Sequence, residues 1–200
     1  MRTMWDERYD DEAYAFGTEP NDFLRAEAGR ISRGRVLCLA DGEGRNGVYL
    51  AELGHDVLSV DLSSVGLRKA EALAQDRGVQ IATHLADLAE WPIEAESWDG
   101  IVSIFCHLPI DIRTSLHRRV VAGLKPGGIF VLEAYTPDQL AHGTGGPGSV
   151  DLLMTSTALS EELAGLELVH NRELERDVIE GSFHTGRAAV VQVVGIKPVR

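Results

Sequence analysis

What this sequence lacks narrows its chemistry before any motif is read. Only two of its 200 residues are cysteine, Cys38 and Cys106. Both sit in apolar runs and read as reduced core residues, since a disulfide framework needs more of them. There is no Cys-x-x-Cys, no His-Glu-x-x-His and no carboxylate cluster, so no metal is expected. No uninterrupted apolar run approaches the roughly 18 residues of a membrane span. The opening Met1-Arg2-Thr3-Met4-Trp5-Asp6-Glu7 has none of the apolar stretch of a signal peptide, and the expected compartment is the cytosol. Positive charge is also short: 19 Lys and Arg stand against 31 Asp and Glu, a net charge of −12. A field of that sign repels phosphate backbones and anionic lipid surfaces, so neither nucleic acid nor membrane is an expected partner. The tightest basic group is Arg118-Arg119, which reads as a solvated helix face.

What is present is ordinary for a globular protein: 44% hydrophobic and 25% charged residues. A chain of this length fits one core, so residues 1–200 read as a single domain. Apolar runs rich in β-branched residues alternate with helical patterns, which argues for an α/β fold with a parallel sheet. The strands read as 35–40, 56–61, 80–84, 99–105, 129–133, 166–171 and 188–197. Helices read as 46–53, 63–77, 111–123 and 160–164, and a loop spans the four glycines and one proline of 141–149. The polar stretch 175–187 reads as the connection between the last two strands.

The first strand runs directly into Asp41-Gly42-Glu43-Gly44-Arg45-Asn46-Gly47. Glycines there let the backbone approach a ligand, and the following helix aims free N–H groups at it. The second strand ends in Asp61, 17 positions beyond Gly44, where a carboxylate can accept both hydroxyls of a ribose. A glycine string alone is weak evidence, and a ligand-free turn with a merely capping Asp61 is the competing account. The strand–turn–helix context favours the adenosine half of a nucleotide site, with the cofactor open between NAD and S-adenosylmethionine (SAM). No Tyr-x-x-x-Lys pair, a common dehydrogenase device, is found at any of the four tyrosines.

At these residues the chain resembles the class I SAM-dependent methyltransferases, most of all the small enzymes related to the tellurite-resistance methyltransferase. The resemblance rests on Trp5-Asp6-Glu7-Arg8-Tyr9 with Phe16-Gly17-Thr18-Glu19-Pro20-Asn21, on Gly42-Glu43-Gly44-Arg45-Asn46, on Asp61, on Asp87-Leu88, on Phe105-Cys106-His107-Leu108 and on Leu124-Lys125-Pro126-Gly127-Gly128. It implies a Rossmann-like, seven-stranded, mostly parallel sheet with helices on both faces and an antiparallel last strand. It implies an N-terminal cap over 1–30, a SAM-binding core over 31–135 and a substrate-side part over 136–200. It implies SAM as cofactor, with S-adenosylhomocysteine (SAH) as product. The cofactor-binding residues it implies are Asp41, Gly42, Gly44, Arg45, Asn46, Asp61, Leu62, Asp87, Leu88 and Phe105. One departure stands out. Cys38 and Ala40 occupy the places of the family's first acid and first glycine, and Asp41 is the expected substitute for that acid, whose roles are to meet the methionine amine and to fix the turn.

Methyl transfer needs its nucleophile held close and aligned, an effect worth up to about 7–11 kcal/mol. A base is needed only where the nucleophile arrives protonated. His107, Tyr135 and His184 fall on segments expected at the active edge and are the catalytic candidates, with a structural histidine the alternative for each His. His142 reads as a surface residue, and His55 and His117 as peripheral. The expected partner is a small-molecule methyl acceptor such as a thiol or chalcogen oxyanion, and the expected state a monomer or weak homodimer. A non-catalytic SAM-binding module and an NAD-dependent oxidoreductase are the rival readings.

Overall fold

A computed structural model describes residues 4–199. Two short helices come first, α1 (Met4–Arg8) and α2 (Asp22–Glu27). Then β1 (Arg35–Leu39), α3 (Arg45–Glu52), β2 (Asp56–Asp61), α4 (Ser64–Asp76), β3 (Ala82–Leu85) and β4 (Trp98–Ile104) alternate. The chain continues through α5 (Ile110–Gly123), β5 (Leu124–Tyr135), α6 (Ser156–Glu162), β6 (Glu167–Glu180) and β7 (His184–Ile196). Among the described residues the seven strands form one sheet in the order β3-β2-β1-β4-β5-β7-β6. Pairs among β1 to β5 are parallel, while β7 runs antiparallel to both β5 and β6. The expected Rossmann-like sheet with an antiparallel last strand is therefore what the chain forms.

The apolar runs explain the layering. Successive side chains of a strand point to opposite faces. Leu37, Leu39, Ile101, Phe130 and Leu132 pack on one face with Leu116 and Val120 of α5 and Leu159 of α6. Their neighbours Val36, Cys38, Val102, Ile129 and Val131 pack on the other with Phe23 and Leu24 of α2 and Leu50 of α3. A strand covered on both faces must be apolar at every position, which is why these segments read as continuous runs.

Several boundaries differ from the sequence reading. β5 runs from Leu124 to Tyr135, longer at both ends than the expected 129–133. The sixth strand extends to Glu180 and the seventh begins at His184, so most of 175–187 is a hairpin and not a connection. β6 lies at the sheet edge, where a solvated face accepts polar residues that hide its strand pattern. α6 starts at Ser156 because the Thr155 side chain accepts from Ala158 N–H, a cap the apolar pattern did not reveal. The N-terminal region holds two helices too short for periodicity to show.

Candidate functional site

β1 has β2 on one side and β4 on the other, so the chain leaves its carboxyl end between two diverging connections. Such a switch point opens a crevice in a doubly wound sheet. A cavity of about 520 Å³ lies there, bounded by the glycine turn, the ends of β2 and β4, the N-terminal segment and the β6–β7 turn.

The turn is built by strain and close approach. Ala40, Gly42 and Gly44 have φ of 49°, 57° and 85°. A left-handed conformation suits glycine and strains alanine, so Ala40 holds by force a shape that glycine adopts freely. A Cβ on Gly42 would fall 2.6 Å from the Tyr9 hydroxyl oxygen, so glycine is required there. Gly42 N–H donates to Asp61 Oδ2 at 2.8 Å, and Ser63 N–H donates to Asp61 Oδ1 at 2.8 Å. Those bonds fix the carboxylate at the cavity wall, and each oxygen keeps a lone pair for a ligand hydroxyl. Burial raises the Asp61 pKa, and the backbone bonds oppose that rise.

Asp41 turns the other way. Ser59 Oγ donates to its Oδ2 at 2.6 Å and Gly47 N–H to its Oδ1 at 3.3 Å. Its carboxylate thus ties the turn to β2 and α3, and burial pushes its pKa up to about 6. Arg45 and Asn46 border the cavity, yet their polar heads serve other elements. Arg45 Nη2 meets Glu180 Oε2 at 2.5 Å, and Asn46 Oδ1 accepts from Asn21 N–H at 3.0 Å. Asn21 Nδ2 in turn donates to Glu133 and Glu180. Arg176 and Gln192 complete the ring around Glu133. The specific Arg-Asn ending of the turn therefore fastens the N-terminal segment and the β6–β7 hairpin to the cofactor side.

At the far end of the turn, Leu62, Asp87 and Leu88 border the cavity. Arg119 Nη2 donates to the Leu88 carbonyl at 2.6 Å, and Nη1 reaches that of Trp91. Arg119 is therefore a brace for this loop, which corrects its reading as solvated; Arg118 is exposed. His117 is corrected too: it is buried, with Nδ1 2.7 Å from Glu162, which also holds Arg113.

Residues of the expected N-terminal cap roof the site. Trp5, Tyr9 and Phe16 border the cavity. Glu43 accepts from Ala15 N–H at 2.8 Å and pairs with Lys69 at 2.5 Å, and Lys69 also donates to the carbonyls of Asp11 and Ala13. Glu43 was visible as part of the turn. Its partner Lys69 carries no sequence signal, because its bonds to Ala13 and Asp11 join α4 to a segment 56 and 58 residues earlier.

The catalytic candidates come together but are not equivalent. Phe105 sits at φ 52° after β4, and its ring stacks on Tyr135 at 4.5 Å. His107 borders the cavity with both nitrogens engaged: Nδ1 lies 2.9 Å from the Leu152 carbonyl, and Nε2 accepts from Tyr135 N–H at 3.3 Å. Burial lowers its pKa to about 4, so the ring is neutral. Tyr135 is fully buried behind Phe105 and is not part of the cavity wall. His184 lines the cavity, and its Nδ1 is enclosed without a partner. Burial, reinforced by Arg45, His107 and Arg8, lowers its pKa to about 3. Both cysteines are free and buried, and burial pushes Cys106 up to about 12, so neither offers a thiolate.

Comparison with known proteins bears on this geometry. Residues 36–128 match a family model described as a methyltransferase domain, a stretch that contains the turn, Asp61, Asp87 and His107. A 2-heptyl-1-hydroxyquinolin-4(1H)-one methyltransferase of Mycobacteroides abscessus is 25% identical over 128 residues, 60% of this chain and 56% of that protein. The chain thus spans little over half the length of that curated relative. A structure described for the conversion of a disulfide bond into a thioacetal group during echinomycin biosynthesis superposes with a TM-score of 0.77 at 18% identity, over 96% of this chain and 88% of the other. TehB from Haemophilus influenzae superposes with a TM-score of 0.69 at 21% identity, over 96% and 65%.

Proposed function

We propose that this chain, which carries a methyltransferase domain on the class I SAM-dependent methyltransferase fold, moves a methyl group from SAM to a small-molecule acceptor. The observation that carries the reading is the coupling of the turn to the acid: Gly42 N–H on Asp61 Oδ2, at the wall of a cavity large enough for a nucleotide-sized ligand. The cradle fits the cofactor, because Gly42 leaves the backbone bare where a side chain would intrude. When bound, SAM supplies a methyl on a sulfonium, a potent leaving group.

The residues of the chain divide the remaining work. Asp61 would receive the ribose hydroxyls, and Leu62, Asp87 and Leu88 would flank the adenine. Gly42, Gly44 and the amides that open α3 would meet the methionine portion. Asp41 would act there through the turn it fixes, with Arg45 and Asn46 binding the roof down over it. Phe105 would lie beside the reacting end. His184 would orient the acceptor, with His107 and Tyr135 behind it as positioning residues. Residues 1–30 would cap the cofactor, 31–135 hold it and 136–200 face the acceptor, in a monomer or weak homodimer. Acceptors that ionise readily need little base and suit a weakly basic histidine.

Calorimetric titration with SAH tests the reading. Micromolar binding is expected, weakened about tenfold or more in Asp61→Asn, as a lost pair of charge-assisted contacts requires. Binding of NADH in place of SAH would overturn it, and SAH binding without turnover of SAM would identify a non-catalytic module.

A further inference from the structure

Beyond Phe105 the cavity changes character. Its walls there are Phe16, Phe105, His107, Leu152, Phe183 and His184. Phe16 and His184 lie 4.5 Å apart between ring centroids, Phe105 meets His184 edge-on at 4.9 Å, and Phe16 and Phe183 are 6.0 Å apart. Gly145 and Gly146 bring bare backbone to the same space. Of those six side chains only His107 and His184 carry polar atoms, and both nitrogens of His107 are engaged. His184 alone remains. Of the cations nearby, Arg45 pairs with Glu180, and Arg8 stays at the exposed rim, over the rings of Trp5 and Phe183 at 5.3 and 5.0 Å. The rim is apolar as well, since Met4 and Phe183 border the cavity while 64% and 47% exposed.

We infer that this half of the cavity takes a flat, mainly apolar acceptor that presents one acidic hydroxyl, phenolic or N-hydroxyl, to His184. The inference rests on the methyl-transfer reading above. Rings in edge and tilted contact offer broad faces to a planar body, and the exposed apolar rim extends that surface outward. One free polar group satisfies one hydroxyl. An oxyanion such as selenite or tellurite brings three oxygens into a space walled mainly by rings, where few donors replace the water they lose. A small thiol would leave the ring walls unfilled and its own orientation unset. With an acidic hydroxyl, the oxygen forms the bond to the methyl carbon as the sulfur–methyl bond breaks. The bond's electron pair stays on sulfur, and the acidic hydroxyl gives its proton to water while the neutral His184 ring orients the oxygen.

The test uses the whole protein, with 1-naphthol and 1-hydroxyquinolin-4(1H)-one against selenite, tellurite and 2-mercaptoethanol. Calorimetry of the SAH-loaded protein should show the two bicyclic compounds binding and selenite and tellurite not binding. Turnover should favour the bicyclic compounds by about tenfold or more in kcat/KM. Phe183→Ser, at a half-exposed position that tolerates change, should raise their KM about fivefold while SAH affinity stays within about twofold. A preference for oxyanion or thiol, failure of both bicyclic compounds to bind or turn over, or an unchanged KM in Phe183→Ser overturns the inference while SAH binding leaves the methyltransferase reading standing. Loss of SAH binding in the unaltered protein removes both.

Discussion

Asn21 offers the sharpest test of how the roof is held. Its side-chain oxygen caps α2 by accepting from Leu24 N–H at 2.9 Å. Its Nδ2 donates to Glu133 Oε2 at 2.5 Å and to Glu180 Oε1 at 2.8 Å. It is fully buried. Replacement by alanine removes a cap worth about 1 kcal/mol. It also removes two bonds to charged acceptors, worth about 1.5–3 kcal/mol each. Glu133 keeps Arg176 and Gln192, and Glu180 keeps Arg45, so neither carboxylate is stranded. The loss should therefore fall at the low end of the sum, about 4 kcal/mol, against a total stability of about 5–15 kcal/mol. Asn21→Asp separates the two contributions. Aspartate caps a helix as well as asparagine does, but here it sets a third carboxylate within hydrogen-bond distance of two others. At an effective dielectric of about 20, like charges about 3 Å apart repel by about 5 kcal/mol. The aspartate variant should thus be less stable than the alanine variant at pH 8, in urea unfolding followed by tryptophan fluorescence. Equal stability of the two, or a loss below about 1 kcal/mol in Asn21→Ala, would refute the account of a charged, fully desolvated network.

Two further predictions concern buried titrating groups. The Asp41 pKa is raised from 3.8 to about 6, so between those values the folded chain holds more protons than the unfolded one, and this group's contribution to stability rises as pH falls. Asp41→Asn removes that slope: its stability relative to the parent, from urea unfolding, should be greatest at pH 7 and shrink toward pH 4 by up to roughly 3 kcal/mol, and the opposite trend would reject it. His107 is shifted down from 6.5 to about 4, so its contribution is present above pH 6.5 and lost as pH falls toward 4. His107→Ala leaves the Leu152 carbonyl and Tyr135 N–H unpaired and should cost about 2–4 kcal/mol at pH 7.5, with a smaller cost at pH 4.5; unchanged stability with lost turnover would mark it as the base instead.

Much of this protein was legible in its residues. Val36 to Leu39, Val57 to Val60 and Ile129 to Leu132 are apolar at nearly every position, as strands covered on both faces require, and the centre of the parallel sheet follows from them. Gly42, Gly44 and Asp61 marked in advance the turn and the acid that meet at the cavity wall, because a glycine turn and a carboxylate at the next strand end are local features of the sequence. The polar edge strand β6 was not legible, since solvent exposure removes the apolar alternation that identifies a strand. Nor were the partners of Arg45, Asn46 and Glu43: a side chain's type announces that it seeks a charge or an amide, not which of many it finds. Folding brought Glu180 to Arg45 across 135 residues and Glu133 to Asn21 across 112. It also sorted the three catalytic candidates, engaging both nitrogens of His107, sealing Tyr135 behind Phe105 and leaving His184 against the cavity. The sequence by itself determined the sheet and the turn, because those depend on periodicity and backbone freedom. Only the tertiary structure decided which polar groups are spent holding the roof and which remain for an acceptor, because hydrogen-bond satisfaction is settled by long-range packing.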